Sequence, residues 1–132
     1  MRSFLMKLSG YMILGLMMIG CNNIAAPVEV TKTYLIAMAS KDANQISACS
    51  SAEWEIEAQK MLDSFIGVDT ILEDLVCREI ENDGLEAKVN CDGRIIMTYN
   101  NEDMELELSV VTFVLKQNRN EWQIYKLDYG VQ

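Results

Sequence analysis

From Pro27 to Phe65 the apolar positions of the chain recur at helical spacing, and beyond Gly67 they recur every second residue. Val30, Tyr34, Ala37 and Met38 stand at i, i+4, i+7 and i+8, the stripe of an amphipathic helix. Pro27, the only proline, suits its first turn, where no backbone N–H is needed. Ser40-Lys41-Asp42 interrupts the stripe, and Asp42 is placed to cap a short second helix over Ala43 to Ala48. A third helix is predicted by Ser50-Ser51-Ala52-Glu53, read as a capping box with Ser50 as N-cap and Glu53 reaching back. Trp54, Ala58, Met61, Leu62 and Phe65 then form one apolar stripe, and Gly67 ends it.

The alternating half predicts four strands in meander order. The first runs from Thr70 to Ile80, with Asn82-Asp83-Gly84 as a hairpin turn. The second runs from Leu85 to Tyr99, kinked near Asp92-Gly93, with a turn at Asn100-Asn101. The third runs from Met104 to about Leu115, and the last from Glu121 to Tyr129. Helices followed by strands define an α+β domain, and hairpin links make the sheet antiparallel. The helices with apolar stripes are expected to fill the concave side of a curved sheet of about four strands.

Alternation assigns the faces. Leu75 and Cys77 share one face of the first strand, opposite Val76 and Arg78. Leu85, Ala87, Val89, Cys91, Ile95, Met97 and Tyr99 share the inward face of the second, and Met104, Leu106 and Leu108 that of the third. The last strand is apolar on both faces, as in a central strand or a surface that meets a partner. Cys77 and Cys91 both point inward and are symmetric about Gly84, close to direct opposition, so a Cys77–Cys91 disulfide is the leading pairing. Cys49, just before the third helix, is the competing partner for either, and three buried thiols are the remaining alternative.

The first 20 residues have another character. Arg2 and Lys7 precede the run Tyr11 to Gly20, which is too short to cross a bilayer comfortably and has the form of a secretory signal. Met18-Ile19-Gly20-Cys21 resembles the lipobox of bacterial lipoproteins, with Met18 in place of the usual Leu. That resemblance implies cleavage before Cys21, acylation of its thiol, and a membrane anchor. An ordinary signal peptide or a buried N-terminal helix are the alternatives. The expected organisation is a signal over 1–20, a tether over 21–26 and a domain over 27–132, exported to the cell envelope and extracytoplasmic.

Composition narrows the chemistry. The chain has 132 residues, 11 basic and 20 acidic, for a net charge of -9. Duplex nucleic acid, whose recognition relies on Lys and Arg neutralising phosphates, is an unsuitable partner. There is no histidine, which excludes Ser-His-Asp and Cys-His catalysis and any His-ligated metal. No Gly-rich phosphate loop occurs, and no cofactor is expected. Glu102, Asp103, Glu105 and Glu107 offer oxygens for calcium but lack a ligand loop, so a solvated strand face is the better reading. Glu73 and Glu79 share the parity of Cys77, which offers one of them as an inward general acid, but the better reading sets them near strand ends in water.

The order of elements resembles the nuclear transport factor 2-like superfamily. The resemblance is carried by Val30-Thr31-Lys32-Thr33-Tyr34-Leu35, Lys41-Asp42-Ala43, Trp54-Glu55, Leu62-Asp63-Ser64-Phe65, Ala87 to Gly93 and Glu121-Trp122-Gln123-Ile124-Tyr125. It implies a cone, a bent sheet closed by three helices, often around a pocket. Tyr34, Met38, Trp54, Met61, Leu75, Val89, Met97 and Tyr99 are the residues expected to line such a pocket for a small apolar ligand, or else to fill the core. The superfamily holds isomerases and dehydratases as well as binding modules, and a shared fold transfers no reaction. No inward Asp matches a catalytic position. The expectation is a membrane-anchored binding or interaction domain without catalysis, whose partner is a small apolar ligand or an envelope protein. A homodimer through the sheet is also expected. The alternative is a small enzyme using a buried carboxylate or Tyr.

Overall fold

Proline at the first turn and a left-handed residue at the last bound helix α1, Pro27–Ser40. Lys41 adopts φ 61°, which lets its N–H reach Met38 O and the N–H of Asp42 reach Ala37 O, a Schellman closure without glycine. The Asp42 carboxylate then accepts from Gln45 N at 3.2 Å and starts α2, Ala43–Cys49. The computed structural model describes residues 25–130. The signal, Cys21 and the residues up to Ile24 lie outside the described residues.

Helix α3, Ala52–Asp63, is capped by Ser51 rather than Ser50. The Ser51 hydroxyl accepts from Trp54 N at 3.2 Å. Ser50 is taken up elsewhere: its backbone bridges Ile124 of the last strand, while its hydroxyl donates to Ile46 O at 2.6 Å. The capping frame therefore moves by one residue.

Five strands follow, one more than expected. β1 (Asp69–Asn82) pairs antiparallel with β2 (Glu86–Tyr99). The far side of β2 is shared: β3 (Glu102–Glu107) pairs with Arg94 to Tyr99, and β4 (Val111–Asn118) with Glu86 to Asn90. β5 (Glu121–Tyr129) completes the order β1-β2-β4-β5. The third strand expected from alternation is thus two strands, divided by a 3-10 turn at Leu108–Val110. Leu108 and Val111 are both buried while Val110 is 43% exposed, so the period of two breaks there. Asn90 holds the gap, its amide donating to Ser109 O at 3.1 Å and Val111 O at 2.9 Å.

The sheet bends at this gap. On the other side of β2, Asp74 and Leu75 of β1 bulge opposite the single residue Gly93. Asp74 has φ 56° and Gly93 φ 114°. The kink expected near Asp92-Gly93 is this crease. A second bulge at Ile80 sets the cysteine register. The hairpin tip pairs Asn82 with Ala87, and without the extra residue Cys77 would oppose Asp92; the shift brings it opposite Cys91.

The core lies between the helices and the concave face, with Tyr34, Ile46, Ala58, Ile95, Phe113 and Ile124 among its members. Ala87, Val89, Cys91 and Ile95 of β2 are buried as alternation requires. Leu85, just before the same strand, and Tyr99, its last residue, are 73% and 60% exposed. Fourteen strand residues span roughly 46 Å and the twelve of α3 roughly 18 Å, so the sheet outruns its helices.

β5 is neither central nor bare. A bulge at Tyr125 switches its inward residues from Trp122 and Ile124 to Leu127, which accounts for its mixed pattern. Its outer edge is fastened to the link before α3, where Ser51 N donates to Ile124 O at 2.8 Å.

Candidate functional site

Three of the expected lining residues, Tyr34, Met38 and Met61, meet inside the cone with Phe65, Leu106 and Tyr129. The space left among them is small, about 30 Å³. The Tyr34 hydroxyl accepts from Trp54 Nε1 at 3.1 Å, while its ring meets Phe113 edge-on at 6.3 Å. Burial pushes the Tyr34 hydroxyl up to about 12, against the smaller opposing effect of the Trp54 hydrogen bond. A phenol held neutral so far above pH 7 is poorly matched to acid–base work.

The other expected lining residues lie elsewhere. Trp54 is half-buried against the core and donates its indole N–H to the Tyr34 hydroxyl. Val89 is core under the helices, and Leu75 is half-buried at the β1 bulge. Met97 and Tyr99 line a separate open groove of about 540 Å³ with Ser64, Val68, Met104, Glu102 and Asp103. Met104, expected inward, is 67% exposed there. The cause is the overhang of the β2–β3 hairpin past the helices. Comparing strand and helix lengths in the sequence would have revealed this groove.

Neither Glu73 nor Glu79 turns inward as a general acid. The bulge at Asp74 separates Glu73 from the parity of Cys77 and places it beside Arg94, whose guanidinium lies 3.1 Å from Glu73, 3.6 Å from Asp74 and 3.3 Å from Glu105. Glu79 keeps that parity, opposite Val89, but is exposed beyond the core. Asp103 accepts from the Thr98 hydroxyl at 2.7 Å. The acidic run of β3 is thus an exposed strand face with a cation already embedded in it. On the same convex face Val114 is buried between Lys88 and Lys126, which flank it on neighbouring strands.

Cys77 and Cys91 are bonded, directly opposed across β1 and β2 with Cα atoms 4.0 Å apart. Cys49 is a free, buried thiol, pushed up to about 11 by burial. Among the described residues no helix is long and apolar enough to cross a membrane.

With this geometry the domain is α+β, three helices on a bent antiparallel sheet that does not close. No protein-family model matches the chain, and no curated protein matches it by sequence. Solved structures do resemble it. A SEC-C motif containing protein from Rhodopseudomonas palustris is 13% identical, with 81% of this chain and 80% of that one covered, at a TM-score of 0.56. A protein of unknown function from Mycobacterium tuberculosis, Rv3472, is 14% identical, with 78% and 69% covered, at 0.55. A designed protein carrying the NTF2 name is 15% identical, with 75% and 91% covered, at 0.48. Likeness at such identity is a likeness of fold.

Proposed function

We propose that this chain is a binding and interaction domain that carries out no reaction of its own, exported and held at a cell-envelope membrane by acyl chains on Cys21. The observation that carries the reading is the filled cone. Its interior leaves about 30 Å³ with an almost wholly apolar lining, and the Tyr34 hydroxyl at its wall already takes a hydrogen bond from Trp54. A substrate would have to displace core side chains, so contacts fall to the surface, where the overhanging hairpin exposes apolar residues. An envelope protein fits this better than a small ligand inside the cone.

The anchor rests on the Gly20-Cys21 junction and the short apolar run before it. Intact-mass analysis of the full chain, expressed in a bacterium and recovered from membranes, tests both parts. The expected mass is that of a chain beginning at an acylated Cys21, and Cys21→Ala should leave the protein unmodified and out of the membrane fraction. A processed, membrane-bound Cys21→Ala protein would overturn the anchor. A small molecule co-purifying in contact with Tyr34, or turnover abolished by Tyr34→Phe, would overturn the binding-domain reading.

A further inference from the structure

Among the described residues β3 pairs with β2 alone. The line of β3 and β4 runs from Glu102 to Asn118, but β5 ends at Tyr129 opposite Val111 and covers only the β4 part of it. Among the described residues one backbone edge of Glu102–Glu107 is therefore left without a strand. The pairing of β3 to β2 is regular, with no register shift over its six residues. The other open edge, β1, is interrupted by bulges at Asp74 and Ile80, the irregularities by which edge strands resist further pairing.

Three rows of side chains cross β1, β2 and β3 on the convex face. They are Asp69–Thr98–Asp103, Ile71–Ile96–Glu105 and Glu73–Arg94–Glu107, and each ends at the open edge on a carboxylate. The third already alternates acid, base, acid, so the next position favours a base. On the concave side the rows are Leu72–Ile95–Leu106 and Thr70–Met97–Met104, and both end on an apolar side chain. A fourth strand that satisfies both faces alternates apolar and basic residues. Opposite charges and apolar pairs on adjacent strands stabilise, whereas like charges directly opposite destabilise. A second copy of β3 would set Asp103, Glu105 and Glu107 against their own kind, so the edge disfavours self-pairing.

We propose that β3 docks an extended segment of a protein partner by strand addition, and that this segment alternates apolar residues over the concave groove with Lys or Arg over the acidic convex face. The assignment rests on the interaction-domain reading and names its surface.

The test uses the full chain in detergent and three synthetic peptides. One is the hexapeptide Lys-Val-Lys-Leu-Lys-Val, the second replaces each Lys by Glu, and the third carries Pro at its centre. Amide hydrogen exchange locates binding. The Lys peptide is expected to slow exchange at residues 102–107, and the Glu and Pro peptides are expected to have no effect. Asp103→Lys/Glu107→Lys should weaken the Lys peptide by about tenfold or more and admit the Glu peptide. Asp103→Asn/Glu107→Gln, which keeps side-chain shape, should give an intermediate loss. Protection on β1, equal binding of the Lys and Glu peptides, a preference unchanged by charge reversal, or no binding at all each overturns the assignment of β3. None of these touches the binding-domain reading, which fails separately by turnover or by a ligand at Tyr34.

Discussion

Gly93 lies so close to Glu73 across the β1–β2 hairpin that a β-carbon on it would stand 2.6 Å from the Glu73 carbonyl oxygen and 2.8 Å from that of Asp74. Both oxygens are backbone and belong to the bulge where the sheet creases, so neither moves without the bend. Its φ of 114° adds strain for any L side chain. Gly93→Ala is expected to destabilise the domain by roughly 2 kcal/mol or more, read as a lower urea midpoint. Gly84→Ala, where the added carbon meets nothing within 4 Å, should be the milder change.

The Cys77–Cys91 bond closes a loop of sequence separation 14. Constraining the unfolded chain in this way contributes roughly 3 kcal/mol. Reduction should lower the urea midpoint by a corresponding amount. Without denaturant or reductant, thiol labelling of residues 25–130 should find Cys49 alone, and only slowly, because it is buried. Labelling of Cys77 in the oxidised protein would contradict the pairing.

Stability should fall in alkali. Tyr34 rises from 10.0 to about 12 and Cys49 from 9.0 to about 11, both chiefly through burial. The unfolded chain therefore loses these protons first. The stabilisation is complete below pH 9 and is lost progressively as pH climbs through the folded values, between about 9 and 12. Tyr34→Phe together with Cys49→Ala should reduce that slope in denaturation midpoints measured from pH 8 to 11.

The cap of α3 separates two adjacent serines. Ser51→Ala should lose about 1 kcal/mol, because Trp54 N loses its acceptor at the helix start. Ser51→Asn or Ser51→Asp should restore most of it. Ser50→Ala removes a different bond, the one to Ile46 O, and no capping residue at position 50 should compensate for it. Thermal melts of the four variants distinguish the two frames.

Helix spacing and turn residues were legible because they are local. Asp42 caps α2 as its position implies, and Asn82-Asp83-Gly84 turns the first hairpin. The inward row of Ala87, Val89, Cys91 and Ile95 follows from period alone. Failures occurred where one residue was inserted or withheld. The bulge at Asp74 turned Glu73 outward, and Leu108–Val110 cut one strand into two. Pairing with Ile124 took Ser50 from the helix cap. These shifts are set by partners distant in sequence, which periodicity within a strand does not contain. Tyr34, Met38 and Met61 do meet around one small space, but whether such residues enclose a space or close it depends on tenths of a side-chain volume.

The disulfide also has a meaning for a chain that is cut. It joins β1 and β2 between the crease and the hairpin tip, so residues 77–91 form a covalent ring. The tip, Asp83 to Leu85, is exposed and is the natural point of attack for a peptidase. A single nick there opens the ring without dividing the molecule. The helices and β1 stay bonded to β2 and to everything after it, and the halves separate only when a reductant and a peptidase act together.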